Sequence, residues 1–428
     1  MSAPFPTPAS VLAPDTGTAY GRKPGLHIAE LTEVASGTPM GELMRRYWQP
    51  IGLSSWATVL PRQVRALGED LILFRDRSGQ PGLVHPRCAH RGASLLYGRV
   101  DEHGLRCCYH GWAFDVQGRC TDQPCEPDNG AREGGPRERI RQPWYPVQER
   151  YGMVWAYMGP PEKKPLLPRF DVFENLSEGE QLFVDDCNIG SGRYIDADVP
   201  MNWLQHYENI LDYGHFMWLH YFHSGPQFGS RYGELDKLDF QPWQRMAHVS
   251  WRTTARGVTS ERVQVIPDGR TLRTLVETVL PGVRGVPNPF GVPGRIDNLG
   301  FVLPVDDTHL RIFNVLRGKS DGFFQQLRAS RGEREKRASA DPLYFQTHPG
   351  DWEAQGSQGA ITLHSEEHLA TSDRGVAMLR RLLKQQLDAV AAGRDPLGVA
   401  FTPGTELVEF EAGQFLSDTV VNPSGDSA

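Results

Sequence analysis

The pattern of apolar and polar positions divides the chain into stretches of different character. Residues 1 to 25, MSAPFPTPASVLAPDTGTAYGRKPG, show no period, and Pro, Ala, Ser and Thr dominate them. This composition predicts an arm with little regular structure, disordered or laid along the surface. A short helix is predicted next, with Thr38 before Pro39 at its start and Leu43, Met44 and Tyr47 on one side. From Gln63 to about Tyr157 brief β-rich runs (QVRAL, DLILFRD, GLVH, GMVWAYM) alternate with Gly, Pro and Asp, which predicts a small all-β domain. The prolines of PPEKKPLLPRF, residues 160 to 170, break helix and strand alike and set a boundary. The organisation expected is an arm over 1–37, a β domain with its leading helix over 38–160, and a second domain over 161–428.

The second domain opens on a helical stretch from Met201 to about His223 and continues through five β-rich runs (HVSWRTTA, RVQVIP, TLVETVL, NLGFVLPV, LRIFNVL). A charged stretch from Arg328 to Arg337 reads as a solvated loop. Val376, Leu379, Leu383, Leu387 and Val390 then recur at helical spacing, predicting an amphipathic helix from about Arg374 to Ala392 with Ser372 as N-cap and Gly393 as stop. The class is α+β, with no internal repeat.

Composition narrows the function. A chain of 428 residues can bury two or three domains. A net charge of -7 with interspersed acids and bases speaks against nucleic acid as partner. No apolar run approaches the roughly 20 residues that span a bilayer, and no export signal opens the chain, so a cytoplasmic protein off the membrane is expected. Six cysteines, four of them between Cys88 and Cys120, are too few and too clustered for a disulfide framework; free or metal-bound thiols fit better.

The cysteines meet histidines in one place. Cys88, His90, Cys107 and His110 form C-x-H-x16-C-x2-H. Two thiolates and two imidazoles suit either a tetrahedral zinc or a cluster in which two Cys hold one iron and two His the other. Each half offers one Cys and one His from a tight loop, whereas zinc fingers usually pair like with like. Cys108, Cys120, Cys125 and Cys187 read as ordinary free thiols. The second dense stretch is MNWLQHYENILDYGHFMWLHYFH, residues 201 to 223. On a helix Asp212 and His215, three apart, share a face, but His215 and His220, five apart, diverge by about 140°, so a common metal requires the helix to bend or restart near Gly214. The bland alternative is a pair of core histidines. For a third ligand Asp341, Asp351, Glu353, Glu366, Glu367 and Asp373 all compete on chemistry alone.

With its trailing His110, Gly111 and Trp112, the first motif resembles the Rieske iron-sulfur domain. The second, Glu208, Asn209, Asp212, His215 and His220, resembles the E-N-x2-D-x2-H-x4-H motif of Rieske non-haem iron oxygenases, and GDWEAQGSQGAITLHSEEHLATSD is similar to the matching region of their phthalate dioxygenase and aromatic O-demethylase branch. Gly356 departs from it, standing where those relatives often carry Glu. The resemblance implies an oxygenase (alpha) subunit with an N-terminal Rieske [2Fe-2S] domain on Cys88, His90, Cys107 and His110. It implies also a helix-grip catalytic domain holding Fe(II) through His215, His220 and Asp351, with Asn209 beside them and Asp212 as the bridge between centres. It further implies a homotrimeric ring, since the cluster of one subunit would serve the iron of the next, O2 and an aromatic, phthalate- or vanillate-like substrate, and electrons from a separate flavin and iron-sulfur reductase. No G-x-G-x-x-G opens a helix after a strand, which agrees with that last partner. The expected reaction is hydroxylation or O-demethylation, with cis-dihydroxylation as the alternative; from another class, an electron-transfer or ligand-binding protein without mononuclear iron stays open. Arg231, Arg252 and Arg256 are in reach as carboxylate forks, although a surface role is preferred for each. Phe216, Trp218, Tyr221 and Phe222 read as core before pocket.

Overall fold

The computed structural model describes residues 19, 21–186, 198–224, 246–265, 269–287, 293–319, 329, 332–333 and 335–418. Cys187, Arg231, Arg328 and the side chains of Tyr221 and Phe222 lie outside the described residues.

The leading helix runs Pro39–Met44, and the Thr38 hydroxyl accepts from the Gly41 backbone N–H at 3.1 Å, the cap its sequence predicts. The segment before it differs from the expected arm: Leu31 and Val34 are fully buried. Ile28 to Val34 carries enough apolar surface to be drawn under the long C-terminal helix and the Trp203–Asn209 helix.

The β-rich runs between Gln63 and Tyr157 form three small antiparallel sheets. Trp48–Leu53 pairs with Met153–Tyr157, which pairs with Val147–Arg150; Arg62–Ala66, Glu69–Arg75 and Pro81–Val84 form a meander; Arg99–Asp101, Gly104–Arg106, Ala113–Phe114 and Cys120–Asp122 form the third. Met153–Tyr157 is buried at every position, because one face meets its own domain and the other the large sheet, where Trp155 packs edge-on to Phe301 at 5.3 Å. A separate core of Phe74, Leu95, Val100, Leu105 and Phe114 gathers around Cys88 and Cys107.

The rest is one large sheet gripped by helices. Its main antiparallel path is Gln181–Asp185, His309–Gly318, Asn298–Asp306, Val283–Gly285, Thr271–Val279, Gly257–Val265 and Met246–Thr253; Gly413–Ser417 joins Thr271–Val279 and carries Gly294–Arg295 beyond it. The amphipathic helix runs Arg374–Ala391 across Gly257–Val265 and Met246–Thr253. Gly375 makes that approach possible, since a Cβ there would stand 2.4 Å from Trp251 Nε1. Gly393, at φ +74°, ends the helix as expected, but the N-cap is Asp373 and not Ser372. The preceding 3-10 turn, Thr371–Asp373, carries the chain one residue further before helical geometry begins.

Two further expectations are corrected. Residues 335–340 are helical although solvated; Glu, Lys, Arg and Ala are strong helix formers, and Lys336 pairs with Glu333 one turn back. The 201–223 stretch is not one helix. Trp203–Asn209 is followed by a break, a second helix Tyr213–Met217, and a π-wound turn Trp218–His223. Among the described residues no helix is long and apolar enough to cross a membrane.

Candidate metal centres

The two cysteine loops are built alike. Gly92 N–H donates to the Cys88 carbonyl at 2.8 Å and Gly111 N–H to the Cys107 carbonyl at 3.1 Å; in return Cys88 N–H reaches Ala93 O and Cys107 N–H reaches Trp112 O. Each ring closes through a left-handed glycine, φ +75° at Gly92 and +73° at Gly111. The result puts both thiols in the buried core and both imidazoles at the half-exposed tips, with ring centroids 4.7 Å apart. His90 stacks on Trp112 at 4.2 Å, and its Nδ1 is buried without a hydrogen-bond partner. The buried Gln142 braces the first loop, accepting from Ala89 N–H and donating to the His85 and Arg87 carbonyls. Burial pushes the Cys88 thiol up to about 11, with the neighbouring Cys107 adding to it. The bare Cys88 thiol is therefore held protonated until a cation compensates its thiolate. Segregated sulfur and imidazole and an orphaned ring nitrogen fit a diiron cluster with unlike ends. Cys120 lies in the core below; Cys108 and Cys125 are exposed free thiols.

At Gly111 a Cβ would add a left-handed strain of about 1–2 kcal/mol and meet Pro124 Cγ at 2.6 Å. Gly111→Ala is expected to lower the temperature at which the visible cluster absorbance is lost; an unchanged melt would show that the loop gives way freely.

The second centre lies where the helical stretch breaks. Asp212 caps the helix Tyr213–Met217, its Oδ1 accepting from Gly214 N–H at 2.8 Å and His215 N–H at 3.3 Å, while its Oδ2 stands 3.6 Å from His215 Nδ1. Asp212 is thus a cap and not a helix-surface acid. The restart falls before both histidines and does not unite them; the π turn does. Its i→i+5 bonding, continued by Ser224 N–H to Leu219 O at 3.1 Å, places residues five apart on one side, where the α-helical period separates them. Ser224 Oγ then donates to Pro349 O at 2.7 Å, tying this turn to the segment that delivers Asp351.

Asp351 opens the helix Asp351–Gly356, and its Oδ1 stands 3.2 Å from His220 Nε2 and 3.6 Å from His215 Nε2. One ligand atom from each of the three lies within 4.8 Å of the others. Ligands about 2.1 Å from a common ion and at right angles stand about 3 Å apart, so His215, His220 and Asp351 are close enough to hold one ion together. Burial pushes the Asp351 carboxyl up, but the His220 and His215 rings outweigh it and hold it far below the usual carboxylate range. It stays ionised, as a metal ligand must.

The competing acids are engaged elsewhere. Glu353 accepts from Gly350 N–H, Asp341 from Leu343 N–H and Asp373 from Ala370 N–H; Glu366 pairs with Arg22, and Glu367 with Arg380. Gly356 sits in open space, so its departure from the relatives' pattern costs nothing locally. Arg252 pairs with Glu411 and Arg256 with the Leu407 and Glu409 carbonyls, at the surface as preferred. Trp218 is 59% exposed, correcting its assignment to the core: the π turn that buries His220 swings this ring outward.

Sequence reasoning placed Asn209 beside the ligands and missed Gln355. Asn209 Nδ2 lies 3.1 Å from His215 Nε2 and donates to Asp351 Oδ1 at 3.3 Å, and Gln355 Nε2 reaches the same oxygen at 3.3 Å while its Oε1 meets His206 Nδ1. Gln355 was findable as the i+4 neighbour of Asp351 on a helix. Behind them Arg380 forks onto both Glu208 and Glu367, locking the Trp203–Asn209 helix to the C-terminal one. Arg380→Ala would strand the buried Glu208 charge and is expected to lower stability by about 3–5 kcal/mol in denaturant unfolding, much of it recovered when Glu208 is also made apolar.

A cluster-type Cys and His pocket and a 2-His-1-carboxylate face on one chain define an electron-fed, oxygen-activating iron protein. Comparison with known proteins agrees. Residues 48–142 match the Rieske [2Fe-2S] domain. The chain is 46% identical over 410 residues, covering 95% of each, to the phenoxybenzoate dioxygenase subunit alpha of Ectopseudomonas oleovorans. It is 35% identical, over 91% of this chain and 83% of the other, to the tert-butanol monooxygenase / tert-amyl alcohol desaturase oxygenase subunit of Aquincola tertiaricarbonis. The crystal structure of dicamba monooxygenase bound to dicamba superposes with TM-score 0.53 at 17% identity, over 82% of this chain and 99% of that one, a likeness of fold. The chain belongs to the Rieske non-haem iron oxygenases, as the terminal oxygenase component of a system that draws electrons from a separate reductase or ferredoxin. Its cofactors are the Rieske [2Fe-2S] cluster and a mononuclear non-haem iron.

Proposed function

We propose that this oxygenase acts on an aromatic carboxylate bearing an aryl ether. The observation that carries the reading is the 46% identity, over 95% of both chains, to a subunit named for phenoxybenzoate. That relative is a dioxygenase, which favours incorporation of two oxygen atoms over monooxygenation with loss of an O-methyl group. Cys88, His90, Cys107 and His110 hold the cluster, and His215, His220 and Asp351 the iron. When bound there, the cluster would supply single electrons and the iron a site for O2 activation.

The chain's own residues do the rest. Asn209 and Gln355 fix the Asp351 oxygen so that it meets both imidazoles. Asp212 orients His215 and, in a homotrimeric ring closed head to tail, accepts from the cluster ligand His110 of the partner subunit, joining the two centres. The flavin and iron-sulfur reductase is a separate chain. The organisation is 38–160 for the cluster domain and 161–428 for the catalytic domain. The test is turnover of phenoxybenzoate under labelled O2 with a generic reductase. Both labelled atoms in the product support dioxygenation, formaldehyde release from a methoxylated acid supports demethylation, and NADH use unmoved by any aromatic acid would overturn the substrate class.

A further inference from the structure

Among the described residues Arg284 is a cation without a counter-ion, on a strand that meets the helix carrying His206 and Asn209. It sits on the three-residue strand Val283–Gly285, opposite Gly300, which in turn pairs with Asn314. The absent side chain at Gly300 makes the room, since a Cβ there would stand 2.2 Å from Arg284 Nε. The guanidinium therefore lies across Gly300 and donates to Asn314 Oδ1 at 3.2 Å. Its Nε is buried and meets no acceptor, and no carboxylate pairs with it among the described residues. Proteins ordinarily meet the cost of a desolvated guanidinium with an anion.

Its position relates it to the chemistry. Burial pulls the guanidinium down to about 10 and the charge of Asp351 opposes that shift. His206 is held neutral, at about 3, first by its burial and then by Arg284. The charge of Arg284 is thus felt by Asp351 and by His206, whose own Nε2 is likewise buried and unpartnered. The helix carrying His206 and Asn209 crosses the sheet just there, with Tyr207 Oη donating to Val279 O at 2.8 Å, one turn of chain before Arg284. Arg284 as a whole is half-buried, with Nε on its covered side.

We propose that Arg284 is the receptor for the carboxylate of the substrate, with Asn314 positioning the guanidinium plane. This rests on the aromatic-carboxylate reading and adds to it where the anion docks, which in turn fixes which end of the ring system faces the iron. A planar fork matches a carboxylate in a way a point charge does not.

The experiment uses the full holoprotein and titrates phenoxybenzoate and its uncharged methyl ester by calorimetry, with the melting temperature of the ligand-free protein as a second readout. The wild type is expected to bind the acid about 100-fold more tightly than the ester. In Arg284→Met that ratio should fall to near one with ester affinity retained, in Arg284→Lys it should fall part of the way, and ligand-free Arg284→Met should melt no lower than wild type. A preference for the acid that survives in Arg284→Met, or a lowered melt with the preference intact, overturns the assignment while leaving the substrate class standing. A wild type that binds no aromatic acid removes both. Should Arg284→Met yield no folded protein, Gly300→Ala carries the test, because it displaces Nε while keeping the charge, and an undiminished preference there also overturns the proposal.

Discussion

Asp351→Ala is expected to give a protein that keeps the reddish-brown colour and visible spectrum of its cluster, contains about two irons per chain where the wild type contains about three, and no longer couples O2 consumption to any substrate. The reason is the concentration of donors on one atom. Four side chains, His215, His220, Asn209 and Gln355, converge on Asp351 Oδ1 within 3.6 Å. Removing that oxygen takes the sole formal negative charge out of the ligand set and leaves two neutral imidazoles, a weak site for Fe(II). Glu353, two residues on, does not replace it, because it is turned to the Gly350 N–H at the head of the same helix. Glu353→Ala should accordingly keep its iron and lose only about 1 kcal/mol of stability with the cap interaction. Metal analysis decides both, and a full third iron in Asp351→Ala would refute the assignment.

Much of this was legible in the chain itself, for identifiable reasons. Strands written as continuous apolar runs between turn residues, such as Glu69–Arg75 and His309–Gly318, and the helix Arg374–Ala391 with its single apolar stripe appear near where the pattern puts them. The Cys and His loops are legible because ligand chemistry, left-handed glycine and short spacing all fall within one stretch of sequence. The π turn at Trp218–His223 was not, since nothing in an apolar helical run distinguishes i→i+4 from i→i+5 bonding; only the demand that His215 and His220 meet exposes it. Arg284 escaped for a different reason. Its strand is three residues long, and its meaning comes from Gly300 and Asn314, neighbours through register and not through sequence. Non-local pairing carries information that periodicity does not.

The same distinction between local and through-space roles sets up the sharpest test of how the two centres work together. Asp212 has two jobs on two oxygens: Oδ1 caps the helix Tyr213–Met217, and Oδ2 faces His215 Nδ1, which has no other partner. Burial pushes this carboxyl up, yet the His215 ring and the capped N–H groups bring it below the usual range, so it is charged. Asn is as good an N-cap as Asp, so Asp212→Asn should preserve the cap, the fold and the melting temperature. The amide has one acceptor oxygen and no charge. With that oxygen on the cap, its NH2 faces the Nδ1–H of His215, and two donors confront each other. Loss of such an orienting partner alone costs about 10–100-fold in metal affinity or activity. If Asp212 also joins the partner subunit's cluster to this iron, turnover should fall well beyond that range while the protein still holds its full complement of iron and an unchanged cluster spectrum. Asp212→Ser, which keeps a cap but carries no charge, should likewise hold its iron without restoring turnover. Wild-type turnover in Asp212→Asn would leave Asp212 a helix cap and nothing more.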